Sequence, residues 1–275
     1  MILKINKNQV GGKNRFALIG GPCVIESEKH AMKMAESIKK ITDKLKLTYI
    51  FKASFDKANR TSVRSFRSIG VEKAFKILEK IKKEFNLPIT TDFHNEEQIK
   101  IFGNNVDIIQ VPAFLCRQTD LLLAAGMTGK IVNIKKGQFL APNQAQNIVE
   151  KIKSTGNNQV IITERGYSFG YNNLIVDMRN FEMWKNKDFL TCYDATHSLQ
   201  LPGALGVKSG GERNYIEPLA RAALAIGIDF LFMEIHDNPP QALSDSETQF
   251  NLKNLQSFLK DLIYIDDYVK NKIYK

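Results

Sequence analysis

The feature of the sequence that most constrains its fold is a regular alternation of short apolar runs with longer amphipathic segments. The amphipathic segments carry apolar residues every three or four positions, as helices do, and the runs rich in β-branched and aromatic residues are typical of buried strands. Strands that alternate with helices indicate parallel β/α units, and eight units in about 250 residues predict an α/β chain folded as a closed (β/α)8 TIM barrel. The strand candidates are Phe16–Gly20, Leu47–Lys52, Leu87–Phe93, Val106–Pro112, Lys130–Lys135, Gln159–Arg165, Phe189–Thr196 and Phe230–His236.

The segments between the strands carry helix signals of their own. Ser27 is suited to cap a helix that reaches Leu45, Asn95 with Gln98 resembles a capping box, and Pro142 is suited to the start of the fifth helix. The other helices are predicted over Val71–Phe85, Leu121–Ala125, Ile148–Ile152, Leu174–Trp184, Tyr215–Ile226 and Leu252–Ile263. A doubly wound open sheet is the alternative fold, but no G-x-G-x-x-G motif follows the first strand.

Residues 1–15 are predicted to form a short β-hairpin before the first barrel strand, with one run at Leu3-Lys4-Ile5 and a second around Gln9-Val10. A chain of 275 residues with 43% apolar content can bury a full core. We therefore expect residues 1–275 to form a single barrel domain with the hairpin as an appendage.

The composition narrows the class of protein. A net charge of +10 favours anionic partners, but the lysines are spread over many helices, so we expect small anionic substrates and no nucleic acid. No stretch approaches the roughly 18 apolar residues of a membrane span, and the N-terminus lacks an apolar signal-peptide core. We therefore expect no membrane association and a cytoplasmic location. The three cysteines are too few and too distant for a disulfide framework.

Polar side chains stand at the carboxyl ends of the predicted strands, where a barrel enzyme builds its active site. They are Cys23, Lys52, Asp92, Gln110, Lys135, Arg165, His197 and Glu234. Alternation along strand eight directs Leu231, Met233 and Ile235 toward the helices, and Glu234 and His236 toward the barrel axis. By the same rule Lys135 points inward and Lys136 outward.

One cluster of these residues has the composition of a metal site. A closed barrel makes strands seven, eight and one neighbours, so Cys23, His197, Glu234 and the following Asp245 can converge. A thiolate, an imidazole and two carboxylates suit a divalent transition metal, and this mixed set accepts Zn, Fe(II), Mn or Co. Taken singly, a buried cysteine is more often a small apolar residue, but four such residues on adjacent strands favour the metal site.

A second cluster gathers cations and one amide from strands two to six. Its members are Lys52, Lys57, Arg60, Gln110, Arg117, Lys135 and Arg165. So many cations around one barrel mouth would repel one another, which predicts at least two bound anionic groups. Phosphates are the expected groups, because arginine forks and lysine charges are their usual ligands. For Lys57 and Arg117, a solvated surface position is an equal alternative.

Several segments at these strand ends resemble the 3-deoxy-D-manno-octulosonate 8-phosphate synthase family, and the similarity runs from about Phe16 to the final helix. The matching segments are Gly20–Ser27, Lys57–Ser62, Thr91–His94, Asn133–Phe139, Thr163–Gly166, Phe169–Asn173 and Asp194–Ser198. The resemblance implies condensation of phosphoenolpyruvate with D-arabinose 5-phosphate and water, which releases phosphate on the route to the lipopolysaccharide sugar Kdo. It also implies a homotetramer.

The resemblance further implies roles for individual residues. Phosphoenolpyruvate would be held by Lys52, Gln110, Lys135 and Arg165. Arabinose 5-phosphate would be held by Asn59, Arg60 and Thr61, with Arg117 reaching its phosphate from a neighbouring subunit; Ser54 and Lys57 belong to the same substrate-binding stretch. Metal-dependent members carry cysteine at the position of Cys23, where others carry asparagine, and the Ser244-Asp245-Ser246 loop also resembles the metal-dependent type.

Alternatives remain for the activity. Synthases of 3-deoxy-D-arabino-heptulosonate 7-phosphate, which use erythrose 4-phosphate, usually carry Lys-Pro-Arg-Thr-Ser where this chain has Lys57–Ser62, and Asn59 has no counterpart there. A nucleic-acid-binding protein is the alternative from another class, and a barrel without catalysis has no supporting feature. The candidates for a general base are Asp92, His94, Glu234 and Asp245.

Overall fold

The computed structural model describes residues 1–204, 206 and 209–273. Its barrel strands are β1 (Ala17–Gly21), β2 (Tyr49–Lys52), β3 (Ile89–Asp92), β4 (Ile108–Val111), β5 (Ile131–Lys135), β6 (Val160–Glu164), β7 (Leu190–Asp194) and β8 (Phe230–His236). Each strand pairs in parallel with the next, and β8 pairs with both β7 and β1. The sheet therefore closes on itself, which confirms the predicted (β/α)8 TIM barrel.

Eight α-helices lie around the barrel in the described part of the chain. They are α1 (Glu28–Leu45), α2 (Val71–Phe85), α3 (Glu96–Phe102), α4 (Thr119–Met127), α5 (Ala145–Lys153), α6 (Arg179–Met183), α7 (Ile216–Ile226) and α8 (Leu255–Tyr268). Ser27 caps α1 as predicted, because its Oγ accepts from the amide of His30. Asn95 caps α3, but Gln98 accepts from the amide of His94 rather than from Asn95, so only half of the capping box forms. No described helix combines the length and the apolar content that a bilayer crossing requires.

The predicted helix over Leu174–Trp184 is wrong in its first half. Leu174–Ile175 is a short strand that pairs in antiparallel fashion with Tyr167–Ser168. The helix α6 begins only at Arg179, whose amide donates to Oδ1 of Asp177. Because the backbone of 174–175 is already paired across this small hairpin, it cannot also enter a helix.

Alternation along the barrel strands follows the prediction except at His236, which was expected to face the barrel axis but packs against His30 at the start of α1, outside the cavity lining. Leu231, Met233 and Ile235 join the large cluster between the sheet and the helices, whereas Phe230 and Phe232 join the cluster inside the barrel. The inner cluster also contains residues from other barrel strands, such as Ile19, Ile50, Ile108 and Ile161. These apolar side chains fill the interior of the barrel. The polar residues at the carboxyl ends of the strands therefore lie on top of a packed apolar layer.

The predicted N-terminal hairpin is present, with strands Leu3–Ile5 and Asn8–Val10 paired in antiparallel fashion. Leu3, Ile5 and Val10 are buried in the inner barrel cluster. The apolar face of the hairpin thus completes the barrel core at the end where the strands begin. The opposite end of the barrel stays open for the polar residues.

Candidate active site

A cavity of about 400 Å³ opens at the carboxyl ends of the barrel strands. A cavity of this size accommodates small phosphorylated molecules. The predicted site residues that line it are Lys52, Ser54, Lys57, Asn59, Arg60, Thr61, Asp92, His94, Gln110, Lys135, Arg165, His197 and Asp245. Cys23 and Glu234 are fully buried behind this lining, and Arg117 is exposed and lies outside it. The fold therefore gathers both predicted clusters at one mouth and leaves Arg117 apart from them.

Lys52, at the end of β2, is held from several sides in the cavity wall. Its Nζ donates to Glu234 Oε1 at 3.0 Å and to Ser54 Oγ at 3.0 Å. Strand β1 approaches β2 so closely here that a Cβ on Gly21 would lie 2.1 Å from the Lys52 carbonyl oxygen. Glycine at position 21 thus lets β1 approach β2 and fixes the base of the lysine side chain.

Lys135, at the end of β5, is held by a buried carboxylate that the sequence analysis did not single out. Its Nζ donates to Asp194 Oδ2 and lies 3.4 Å from the ring centroid of Phe232. Burial lowers the pKa of Lys135, although the charge of Asp194 opposes this shift. Asp194 lies at the end of β7 and opens the matching segment Asp194–Ser198, and that position was the available signal for its role.

Lys52, Lys135 and Arg165 form what we call the cationic wall of the cavity. Two of its members have carboxylate partners, but Arg165 does not: its Nη2 donates to Gln200 Oε1 at 2.7 Å, and its buried Nη1 has no hydrogen-bond partner among the described residues. A buried donor without a partner is unfavourable by about 1–3 kcal/mol. The guanidinium of Arg165 is therefore ready to bind an anion in the cavity.

Cys23, His197, Glu234 and Asp245 form a second group, the thiol–carboxylate corner. Cys23 Sγ lies 2.9 Å from Asp245 Oδ2, and His197 Nε2 lies 3.4 Å from Glu234 Oε1 and 3.8 Å from Asp245 Oδ2. Ligand atoms of Cys23, His197 and Asp245 all lie within 4.8 Å of one another. The structure thus brings together three of the four residues that the sequence analysis assigned to a metal, and the fourth, Glu234, approaches them at His197.

The protonation states at this corner suit a cation. Burial raises the pKa of the Cys23 thiol, and the Asp245 carboxylate raises it further. Although burial opposes it, the charge of Lys57 and the hydrogen bond from Cys23 hold the pKa of Asp245 well below its usual range. Burial lowers the pKa of His197, so the imidazole is neutral near pH 7. A divalent cation would favour the thiolate and bind the neutral imidazole at the same time.

Two further observations fit a metal at the thiol–carboxylate corner. Asp194 Oδ2 lies 2.8 Å from His197 Nδ1, so a proton on Nδ1 leaves the lone pair of Nε2 facing Glu234 and Asp245. Glu234 Oε2 is buried and has no hydrogen-bond partner in the part of the chain that the structure describes. The corner therefore offers a thiol, an imidazole nitrogen and the Asp245 carboxylate for one ion, with the Glu234 carboxylate beside the imidazole.

Asp92 and His94, two of the candidate general bases, form a pair on the other side of the cavity. His94 Nε2 lies 3.1 Å from Asp92 Oδ2. Burial opposes both charged forms, but the hydrogen bond between them raises the pKa of His94 and helps to lower that of Asp92. This ion pair can hold a proton at the wall of the cavity.

The loop after β2 carries the remaining predicted substrate ligands. Asn59 and Thr61 are exposed at the cavity rim, and Lys57 is buried. Arg60 Nε donates to the carbonyl of Phe66, and its Nη2 donates to the carbonyl of Leu243, both at 2.8 Å. Arg60 thus ties this loop to the loop that carries Asp245.

Gln200 was missed by the sequence analysis, because it lies beyond the matching segments and does not end a predicted barrel strand. Besides accepting from Arg165, it donates from Nε2 to Asp245 Oδ1 at 3.0 Å. One amide side chain therefore connects the cationic wall with the thiol–carboxylate corner.

The chain is similar in sequence to known proteins. The sequence profile described as the DAHP synthetase I family matches residues 1–271. Proteins named 2-dehydro-3-deoxyphosphooctonate aldolase are similar over nearly the whole chain. One from Cyanothece sp. is 52% identical over 93% of this chain and 94% of its own length. Those from Fusobacterium nucleatum and Geotalea daltonii are 51% and 49% identical, each over 98% of this chain and over 96% and 98% of their own lengths.

Proposed function

Since the chain belongs to the DAHP synthetase I family, we propose that it carries out the reaction of its relatives that are named 2-dehydro-3-deoxyphosphooctonate aldolase. It condenses phosphoenolpyruvate with D-arabinose 5-phosphate and water, and it gives 3-deoxy-D-manno-octulosonate 8-phosphate and phosphate for Kdo biosynthesis. The observation that carries the proposal is one cavity lined by both the cationic wall and the Asn59–Thr61 loop. Such a cavity supplies ligands for two phosphorylated substrates.

The cationic wall would hold phosphoenolpyruvate. Lys52, Lys135 and Arg165 converge on the cavity with Gln110, and Arg165 keeps a donor free for phosphate or carboxylate oxygen. Attack of the enol carbon on the sugar aldehyde builds positive charge at C2, water adds there, and the C–O bond to phosphate breaks. Fixed charges that position two anions and offset the shifting charge account for much of such an acceleration.

The rim residues Asn59, Arg60 and Thr61 would hold arabinose 5-phosphate, with Ser54 and Lys57 supporting the stretch below them. Asp92, His94, Glu234 and Asp245 are the residues from which the general base would come. A divalent ion at Cys23, His197, Glu234 and Asp245 would supply Lewis-acid activation of water or of the aldehyde when bound. This ligand set would accept Zn, Fe(II), Mn or Co.

Arg117 would act on the sugar phosphate of a neighbouring subunit. Its exposed position outside the cavity of its own chain supports this role. A homotetramer in the cytoplasm, with each Arg117 directed at another subunit's cavity, is therefore part of the proposal.

The activity is tested by phosphate release from phosphoenolpyruvate with either arabinose 5-phosphate or erythrose 4-phosphate as the second substrate. We expect kcat/KM to favour the five-carbon sugar, because Asn59 follows Lys57-Ala58 in place of the shorter Lys-Pro-Arg pattern. The family description names DAHP synthetase, the alternative activity, so the assay with erythrose 4-phosphate is the necessary comparison. A preference for erythrose 4-phosphate would overturn the substrate assignment.

A further inference from the structure

A second cluster of metal-ligating side chains lies outside the cavity lining. Glu26 follows β1, His30 lies in the first turn of α1, and His236 ends β8. One ligand atom from each of these three residues lies within 4.8 Å of the other two. None of them has a part in the proposed reaction.

The two imidazoles direct toward Glu26 ring nitrogens that form no hydrogen bond of standard geometry with the described residues. His236 is 4% exposed, and its Nε2 lies 3.4 Å from Glu26 Oε1 without forming a hydrogen bond of acceptable geometry. His30 Nδ1 is also buried and lies 3.8 Å from Glu26 Oε2. Each of these two nitrogens lies within ion-pair distance of Glu26, and both contacts are longer than a well-formed hydrogen bond.

The opposite nitrogens of both rings face one carboxylate. Asp237 Oδ1 lies 3.1 Å from His30 Nε2 and 3.2 Å from His236 Nδ1, and Lys33 Nζ donates to Asp237 Oδ2 at 2.6 Å. Carboxylates that orient imidazoles in this way are common behind metal-binding histidines. The Asn238 amide now donates to His236 Nδ1, so metal on Nε2 requires this amide to turn away and Asp237 to accept the Nδ1 proton.

We propose that Glu26, His30 and His236 form a second site for a divalent transition metal, with Asp237 orienting both imidazoles. Two imidazole nitrogens with one carboxylate suit Zn²⁺, Co²⁺ and similar ions, and the incomplete set leaves a position for water. The site lacks a thiol, which separates it chemically from the thiol–carboxylate corner.

A metal here would join the start of α1 to the end of β8 and brace the loop that carries Asp245. Glu26 Oε1 accepts from the amide of Leu243 at 2.9 Å, and the carbonyl of Leu243 accepts from Arg60. The second site would therefore act as a positioning element for the cavity rim, without contact with substrate.

The test is a Co²⁺ titration of the full, metal-stripped chain expressed without a polyhistidine tag, followed by absorbance and by metal analysis after desalting. We expect two equivalents per chain, one of which shows thiolate-to-cobalt charge transfer from Cys23. His30→Gln should bind one equivalent and keep the charge-transfer band, and Cys23→Ser should bind one equivalent without the band. Glu36→Gln, which removes an exposed carboxylate from the same helix, should keep two.

The decisive result is that His30→Gln binds one equivalent of Co²⁺ fewer than the wild-type chain. Because this is a difference between two chains that both contain Cys23, it does not depend on the Cys23 site. Circular dichroism checks that each variant is folded, and Glu26→Gln repeats the test from a residue outside α1. A wild-type chain that binds only the equivalent at Cys23, or a folded His30→Gln and Glu26→Gln pair that both keep two equivalents, would overturn the proposal.

Discussion

The cationic wall and the thiol–carboxylate corner face the same cavity but balance their charges differently. In the wall, Lys52 and Lys135 are paired with the buried carboxylates of Glu234 and Asp194, and Arg165 keeps a free donor. In the corner, acidic groups and a thiol lie together, and among the described residues Glu234 Oε2 has no hydrogen-bond partner. The wall is thus a nearly complete anion site in the protein alone, whereas the corner needs a cation to be complete.

This difference refines the argument from charge. The sequence suggested that the cations would repel one another without bound anions, but internal carboxylates already offset two of them. The remaining demand for an anion falls on Arg165, because burial disfavours the charge of Lys57 but nearby acidic groups offset that charge and raise the pKa of the lysine. Phosphate binding by the wall is therefore expected to depend most on Arg165.

The largest effect is expected from Arg165→Met. Loss of the free guanidinium donor should lower kcat/KM for phosphoenolpyruvate by about 10²–10³-fold, as removal of one fixed donor from a charged site does in other enzymes. Arg179→Met is the matched control, because Arg179 is exposed and bound to Asp177. Steady-state phosphate release measures both variants. If the kcat/KM of Arg165→Met stayed within about threefold of the control's value, Arg165 would not be a phosphoenolpyruvate ligand.

A smaller effect is expected from Asp194→Asn, which acts on both regions. Asp194 orients His197 and pairs with Lys135, so the variant should bind the metal about 10–100-fold more weakly, as changes behind a metal ligand typically do. Competition with a chromogenic chelator measures that affinity. Asp188→Asn removes an exposed carboxylate and should leave the affinity unchanged. Equal affinities in the two variants would contradict the orienting role of Asp194.

The smallest effect concerns the Asp92–His94 pair, which belongs to neither region. The folded-state pKa of His94 is raised above its usual 6.5, so the charged imidazole stabilises the fold below that pH. That stabilisation should be lost as the pH rises through the folded-state pKa. The difference in melting temperature between wild type and His94→Gln, both with chelator, should therefore shrink with rising pH. A difference in melting temperature that stays constant or grows with pH would show that the contact with Asp92 does not raise the pKa of His94.

The barrel was predictable because its signals are local. Apolar runs, helical spacing and alternation along each strand gave eight β/α units and the inward direction of Lys135 and Glu234. The helix over Leu174–Trp184 was mistaken because the pairing of Leu174–Ile175 with Tyr167–Ser168 depends on contacts that periodicity does not record.

The candidate site was predictable as a set of strand-end residues but not as a network of partners. The sequence placed Lys52 and Glu234 at the mouth without indicating their 3.0 Å contact. Gln200, Asp194 and the His30–His236 cluster depend on distances between elements that are remote in sequence, such as α1 and β8. Such distances follow from the closed barrel and from loop conformations, and no residue spacing encodes them.

The most direct test of the two-region account is phosphoenolpyruvate binding to metal-free protein, measured by calorimetry beside phosphate release from the same preparation. The metal-free chain should bind phosphoenolpyruvate with a Kd within about tenfold, or ~1.4 kcal/mol, of the metal-loaded value. It should release no phosphate until a divalent ion is added, and a folded Cys23→Asn variant should lose either the dependence on metal or most of its activity. Full turnover in a verified metal-free preparation, or loss of phosphoenolpyruvate binding together with the metal, would contradict the account.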